Sequence, residues 1–487
     1  MDKKLFRNYA YSSIYQILIL ILPIILTPFL TRVLGAEGIG QYSYTRSVVT
    51  YFILFGTVGS NMYAQREIAY VNDNRIKRSH IFWEILIIRC VLLSVSLSLY
   101  FILEIKKGRY PLLFLIQSMD IIAAMLDITW YFQGLEDFSR ITLRNTILKI
   151  CTIILILVTV RQPSDLWLYV FIYTIGNLLG QLWLWKNISH TVSTVPRRQL
   201  YPIRHWKGIL LLFIPQIAIQ IYLVIDKTMI QLLTSDSSEN GYYELAQTIQ
   251  RTGVTLTTAF GSAAASRIAL LKNRSDSNSE ISKLITQSYE IVCLAGVPIA
   301  MGLGAIARNL IPWFMGAAYE PVTHLLVLLC PLIVIIGFSN ISGIQYMVPM
   351  GLQTYMTVST LLGMIINILL NLLWIPAYKA QGAAAASVAA ECTVTLIQIF
   401  YVRKVLIKKI LIKSFFQAIL SGSIMVILIK LTEQFWLNQA SFPHTMLLTL
   451  EGGIIYITMQ LLLRNRIMIK IKNYLFSFLK FNIRKKQ

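Results

Sequence analysis

Arg46, Arg251 and the adjacent pair Asp226-Lys227 stand inside long apolar runs, where a charge is expensive. A guanidinium at bilayer depth costs about 3 kcal/mol on insertion scales, so it must face a wet cavity or a partner. Arginine keeps its charge in a dry site and offers a planar fork of donors, which suits a phosphate or diphosphate. Arg46 lies six residues past Gly40, nearly two turns into its run. Arg32 and Arg66 close two of the runs. Each is either a further cation for an anionic ligand or a side chain snorkelling to the headgroups. Lys227 poses the same choice. Arg46, Arg251, Arg32 and Lys227 are therefore the candidate substrate-binding residues.

The carboxylates suggest a second chemistry. Gln117, Asp120 and Asp127 follow i, i+3 and i+10, which is one face of an unbroken helix. Asp120 and Asp127 either neutralise Arg46 or Arg89, or bind a proton or sodium ion that drives transport. Asp226 is the third candidate for ion coupling. Nothing points to catalysis. The chain has no P-loop, no HExxH and no Cys/His metal spacing. No catalytic residue, metal or cofactor is expected beyond a coupling ion, and the five cysteines read as small buried hydrophobes.

The elements that position these residues follow from composition. Of 487 residues, 56% are hydrophobic and 14% charged, where soluble domains run nearer a quarter charged. Apolar runs of about 20 residues recur, each long enough to cross a bilayer as a helix. The expected fold is an all-α polytopic membrane protein of about fourteen transmembrane helices. They fall near 9–31, 41–62, 82–103, 110–132, 141–160, 166–186, 208–233, 242–263, 284–306, 322–347, 354–375, 382–402, 414–432 and 443–463. The basic start MDKKLFRNYA precedes a run too long for a signal-peptide core, so it reads as a retained first span. The longest connection, roughly 187–207, divides the chain. Residues 1–207 form an N-terminal six-helix half with its linker, and 208–404 a C-terminal six-helix half. Residues 405–487 add two helices and a basic tail.

The net charge is +22. Its lysines and arginines sit in loops and tail, so the positive-inside rule explains them better than nucleic acid does. Outside the runs, Arg32, Lys106, Lys107, Arg109, Arg161, Arg308 and Lys379 fall on one side. The rest fall on the side that holds both termini, which is therefore expected to be cytoplasmic.

The halves share a faint repeat. Gly40-Gln-Tyr opens the second span and Gly241-Tyr-Tyr the eighth, each after a short acidic loop. On this alignment Arg251 falls one helical turn beyond the position matching Arg46, on the same face. Halves related by an axis along the membrane normal would aim both arginines at one cavity.

Several segments resemble one family. They are LGAEGIGQYSY and YAQREIA early in the chain, VIDKTMI in the seventh span, and ENGYYELAQTIQR at 239–251. MGAAYEPV, ISGIQYMVPMG and NILLNLLWIPAYKAQGAAAASVAAE follow, the first with Met315-Gly316 where the family often has Phe-Gly. Together they resemble the polysaccharide flippases, the O-antigen and capsule repeat-unit branch of the multidrug/oligosaccharidyl-lipid/polysaccharide exporter superfamily. The resemblance implies a flippase for an undecaprenyl-diphosphate-linked oligosaccharide, working by alternating access in the cell inner membrane of a bacterium or archaeon. It implies as partners the lipid-linked oligosaccharide, membrane lipids, and the polysaccharide polymerase and chain-length machinery. The alternatives are a flippase for a lipid-linked peptidoglycan precursor and a multidrug or cation antiporter of the same superfamily. A membrane glycosyltransferase would carry a sizeable outer loop or an acidic sugar-nucleotide site, and this chain shows neither.

Overall fold

The computed structural model describes residues 3–106, 109–186, 188–259, 261–272, 278–436 and 439–474. The basic tail from 475 onward, Lys107 and Arg274 lie outside them. Among the described residues the chain is helical, without strands. It divides into two compact units, Met1–Glu244 and Leu245–Gln487.

The first unit contains α1 (Lys3–Val33), α2 (Gly35–Thr57), α3 (Ser60–Tyr70), α4 (Arg75–Tyr100), α5 (Pro111–Met125), α6 (Thr129–Gly134), α7 (Phe138–Thr159), α8 (Leu166–Trp185) and α9 (Trp206–Thr234). It ends on the first turns of α10 (Ser237–Thr258). Gly35, at φ +71°, lets the chain turn 117° between α1 and α2, a backbone region that suits glycine. Asn74 caps α4 by accepting the amide of Lys77 at 3.0 Å. Phe82 and Ile85 of α4 join Ile68, Trp130, Tyr131 and Phe132 in an almost fully buried cluster.

The first compact unit runs past residue 207 to residue 244, and within it α9 and the start of α10 pack on α2. Ser47 and Thr228 share a hydrogen bond at 2.8 Å, and Ser43 donates to Glu244 at 2.8 Å. The two glycines of the repeat meet here. A Cβ on Gly40 would strike the Ser237 carbonyl and come within 2.8 Å of the Gly241 nitrogen. One on Gly241 would strike the Ala36 carbonyl. In lipid, helices associate through such close backbone approach rather than through the hydrophobic effect.

The second unit holds the rest of α10, then α11 (Gly261–Leu271), α12 (Asn278–Phe314), α13 (Glu320–Leu329), α14 (Leu332–Asn340) and α15 (Val348–Met350). It continues with α16 (Gln353–Val402), α17 (Lys408–Trp436) and α18 (Phe442–Leu462). The last two, expected as a separate addition, pack on α12, with Met425, Ile429, Leu448 and Tyr456 against Ala305 and Ile306. Two expected spans, 354–375 and 382–402, are one 50-residue stretch kinked at Lys379 (φ 51°), three residues after Pro376. Against the expected fourteen spans, nine helices among the described residues are long and apolar enough to cross a membrane, or ten if the bent α1–α2 pair is one span.

Candidate functional site

Arg46 projects from α2 between the buried Thr45 and Ser47, yet is itself exposed. Its Nη1 donates to the Tyr42 hydroxyl at 2.6 Å, one turn back on the same helix. Its guanidinium stands 4.7 Å from the ring centre of Tyr173 and 5.8 Å from that of Tyr42. Tyr42 in turn meets Tyr169 edge-on at 5.0 Å and Tyr173 at 6.1 Å. The three tyrosines thus make a polar aromatic wall beside one cation. Each cation–π contact contributes about 0.5–2 kcal/mol, depending on how dry the site is.

Asp120, on α5, completes this cluster. Its carboxylate accepts from Asn177 Nδ2 at 3.0 Å and lies close enough to Arg46 for their charges to interact. Lys149, on α7, acts on Tyr173 in the same way. Among the described residues Arg46 forms no salt bridge. Two cations therefore flank Tyr173 against one carboxylate. An accessible guanidinium held by neutral hydroxyls keeps donors for an incoming anion.

Sequence reasoning missed the aromatic part, though a signal existed. Tyr169, Tyr173 and Asn177 recur every four residues on α8, one continuous face, and Tyr42 precedes Arg46 by four.

Asp127 does not share the face of Asp120. α5 ends at Met125, and Asp127 sits in the break before α6, where its Oδ1 accepts the Thr129 amide at 2.8 Å. Its other oxygen is 3.7 Å from Arg89 Nη2. Arg89 is 1% exposed and donates also to Ser60 Oγ at 3.1 Å, to the Ala124 carbonyl at 2.8 Å and to Asn61. An i, i+10 relation holds only along an intact helix, and here the helix is interrupted.

Asp226 and Lys227 are buried on α9. Asp226 accepts from the Tyr243 hydroxyl at 2.6 Å, and Lys227 forms an ion pair with Glu244, which also accepts from Ser43. These contacts join α9 and the start of α10 to α2 beside the Gly40–Gly241 crossing. Arg32 is exposed in the last turn of α1. Arg251 is exposed on α10, in the second unit.

Comparison with known proteins places this arrangement. A family described as "Polysaccharide biosynthesis protein" matches residues 5–266. A protein of Escherichia coli K12 named "Putative O-antigen transporter" is 25% identical over 414 residues, covering 82% of this chain and 96% of its own. A protein of the same name from Shigella dysenteriae is 24% identical over 381 residues, covering 77% and 94%. Among solved structures, a lipid II flippase in an inward closed conformation superposes with a TM-score of 0.75 at 16% identity, covering 93% of this chain and 99% of that one. An inward-facing multidrug transporter of the exporter superfamily gives 0.59 at 11% identity, covering 79% and 97%. At these identities both show the fold alone.

Proposed function

We propose that this chain, which belongs to the polysaccharide biosynthesis protein family, is a flippase for lipid-linked polysaccharide repeat units. Its substrate would be an oligosaccharide on undecaprenyl diphosphate, carried from the cytoplasmic to the outer leaflet by alternating access. The polysaccharide polymerase and chain-length machinery would receive the product. The observation that carries this reading is the accessible, unbridged Arg46, set among Tyr42, Tyr169 and Tyr173. A diphosphate oxygen taking one of its free donors makes a charge-assisted bond of about 1.5–3 kcal/mol. The tyrosine faces suit the apolar faces of sugar rings. The excess of positive charge over Asp120 disfavours a cationic drug as cargo.

Asp120 is the best-placed residue for ion coupling. It neighbours Arg46, so a proton or sodium ion arriving there would offset its charge and strengthen the pull of Arg46 on an anionic substrate. Asp127 and Asp226 are already committed to Arg89 and Tyr243, which favours a structural role for both.

The test is reconstitution. Purified protein in liposomes should move a fluorescent undecaprenyl-diphosphate oligosaccharide to the opposite leaflet, while undecaprenyl phosphate without sugar is not moved. Asp120→Asn should abolish stimulation by an ion gradient and leave binding of the lipid-linked sugar intact. Equal transport of a cationic dye and no transport of the oligosaccharide would overturn the reading. The distribution of basic residues supports a cytoplasmic location for both termini. Cysteines at Lys404 and Arg466 should resist impermeant thiol reagents in intact cells, with Glu433→Cys reactive. The reverse pattern would invert the orientation.

A further inference from the structure

The segment expected to be a plain linker is a strap stapled to α4. Trp83 Nε1 donates to the Ser193 carbonyl at 3.0 Å, and the Ser193 amide to Ser79 Oγ at 2.9 Å. Further on, Glu84 is fully buried and accepts four donors: the Tyr201 amide at 2.8 Å, Arg204 Nε at 2.9 Å, Arg204 Nη2 at 2.6 Å and His205 Nε2 at 2.7 Å. The second ring nitrogen of His205 is held by the Tyr63 hydroxyl at 2.9 Å. A carboxylate taken out of water is tolerable only when paired and hydrogen-bonded in this way. The inner side of the strap is thereby fixed.

Its outer side carries a different set. Arg197, Arg198 and Lys207 are exposed, and among the described residues none of them forms a salt bridge. Between them Tyr201 is 65% exposed, Ile203 88% and Trp206 40%. No Asp or Glu occurs between Asp165 and Asp226, so the segment cannot neutralise its own charge. Basic side chains alternating with exposed aromatic and aliphatic ones match the boundary layer of a bilayer, where the charges meet headgroups and the rings the acyl boundary.

We propose that residues 196–207 form a docking site for anionic phospholipid headgroups. Arg197, Arg198 and Lys207 contact the phosphates, and Ile203 and Trp206 insert beside them. The Glu84 anchor holds this face in place, so binding orders little new backbone. Each basic residue near an anionic surface strengthens attachment about fivefold, and three together about a hundredfold.

The test uses the full chain in nanodiscs. Ile203→Cys carries an environment-sensitive fluorophore, and the parent chain labelled in parallel gives the background from the five native cysteines. Emission should shift to the blue, and be quenched by brominated acyl chains, as phosphatidylglycerol replaces phosphatidylcholine. Replacing Arg197, Arg198 and Lys207 by Gln should raise the phosphatidylglycerol fraction needed by tenfold or more, or abolish the shift, and high salt should do the same to the parent. The melting temperature of that variant in phosphatidylcholine discs checks that it is folded. A fluorophore equally wet in both discs would overturn the proposal. So would one equally buried in both, since headgroup charge would then play no part.

Discussion

Arg46 on α2 and Arg89 on α4, both in the first unit, are set in opposite ways. Arg89 is 1% exposed, and its two terminal nitrogens are engaged by Ser60, Asn61, the Ala124 carbonyl and Asp127, while its Nε has no partner among the described residues. Arg46 is exposed, donates to the Tyr42 hydroxyl and leans on Tyr173. A buried charge tied to several neighbouring groups is a fastener, and removing it strands them. A charge held by neutral hydroxyls and ring faces is held loosely and has donors to spare. Cost of burial alone does not separate the two, since both are expensive in lipid. Engagement of both terminal nitrogens does.

The sharpest contrast is therefore in stability. Arg89→Ala removes the cation that faces Asp127 and the donor to the Ala124 carbonyl, which should cost about 3–5 kcal/mol and show as a lower melting temperature and poor yield. Arg89→Met with Asp127→Leu removes both charges and should be far milder, because an apolar pair of similar volume is often neutral or better. Equal damage from the single and the double substitution would break the assignment of this pair as a fastener.

Arg46→Ala should behave the other way round. Melting should change little, while binding of the lipid-linked sugar to the purified protein weakens by roughly tenfold or more, a decade being 1.4 kcal/mol. Arg46→Lys should recover part of the affinity, since the charge returns without the planar fork. A folded Arg46→Ala protein with unchanged affinity would remove Arg46 from the site. Arg251→Ala, assayed in parallel, decides whether the second unit contributes a matching cation.

The smallest effect belongs to the aromatic wall. Tyr173→Leu removes one cation–π contact and keeps the volume roughly filled, so the expected loss is about 0.5–1 kcal/mol, or two- to fivefold in binding. Tyr173→Phe should lose less, because the ring face remains. Titration of the purified variants resolves both.

Much of this was legible in the sequence. Apolar runs of spanning length announced the helical membrane fold, and charge inside a run singled out Arg46, Asp120 and Lys227. The breaks were not legible. The interruption at 126–128 comes from Asp127 turning back to the Thr129 amide and to Arg89, a tertiary demand that helical spacing cannot encode. The fate of the linker was also hidden, because its proline and basic content suits a tether as well as a strap. What distinguishes them is Glu84, more than a hundred residues away on α4. The tyrosines were visible at four-residue spacing but ordinary in an aromatic-rich chain.

The contact of α10 with α2 has a consequence for the birth of the molecule. Ser43 meets Glu244 across 201 positions of sequence. At about 5–20 residues per second of synthesis, α2 waits roughly 10–40 s for the residue that completes it. Gly40 has no opposing backbone until Gly241 arrives. The first compact unit is thus finished only after synthesis has passed the apparent midpoint of the protein and begun its eighth expected span. Until then its polar face must be sheltered by the insertion machinery or by lipid headgroups, and the seam that closes it is the last part of that unit to form.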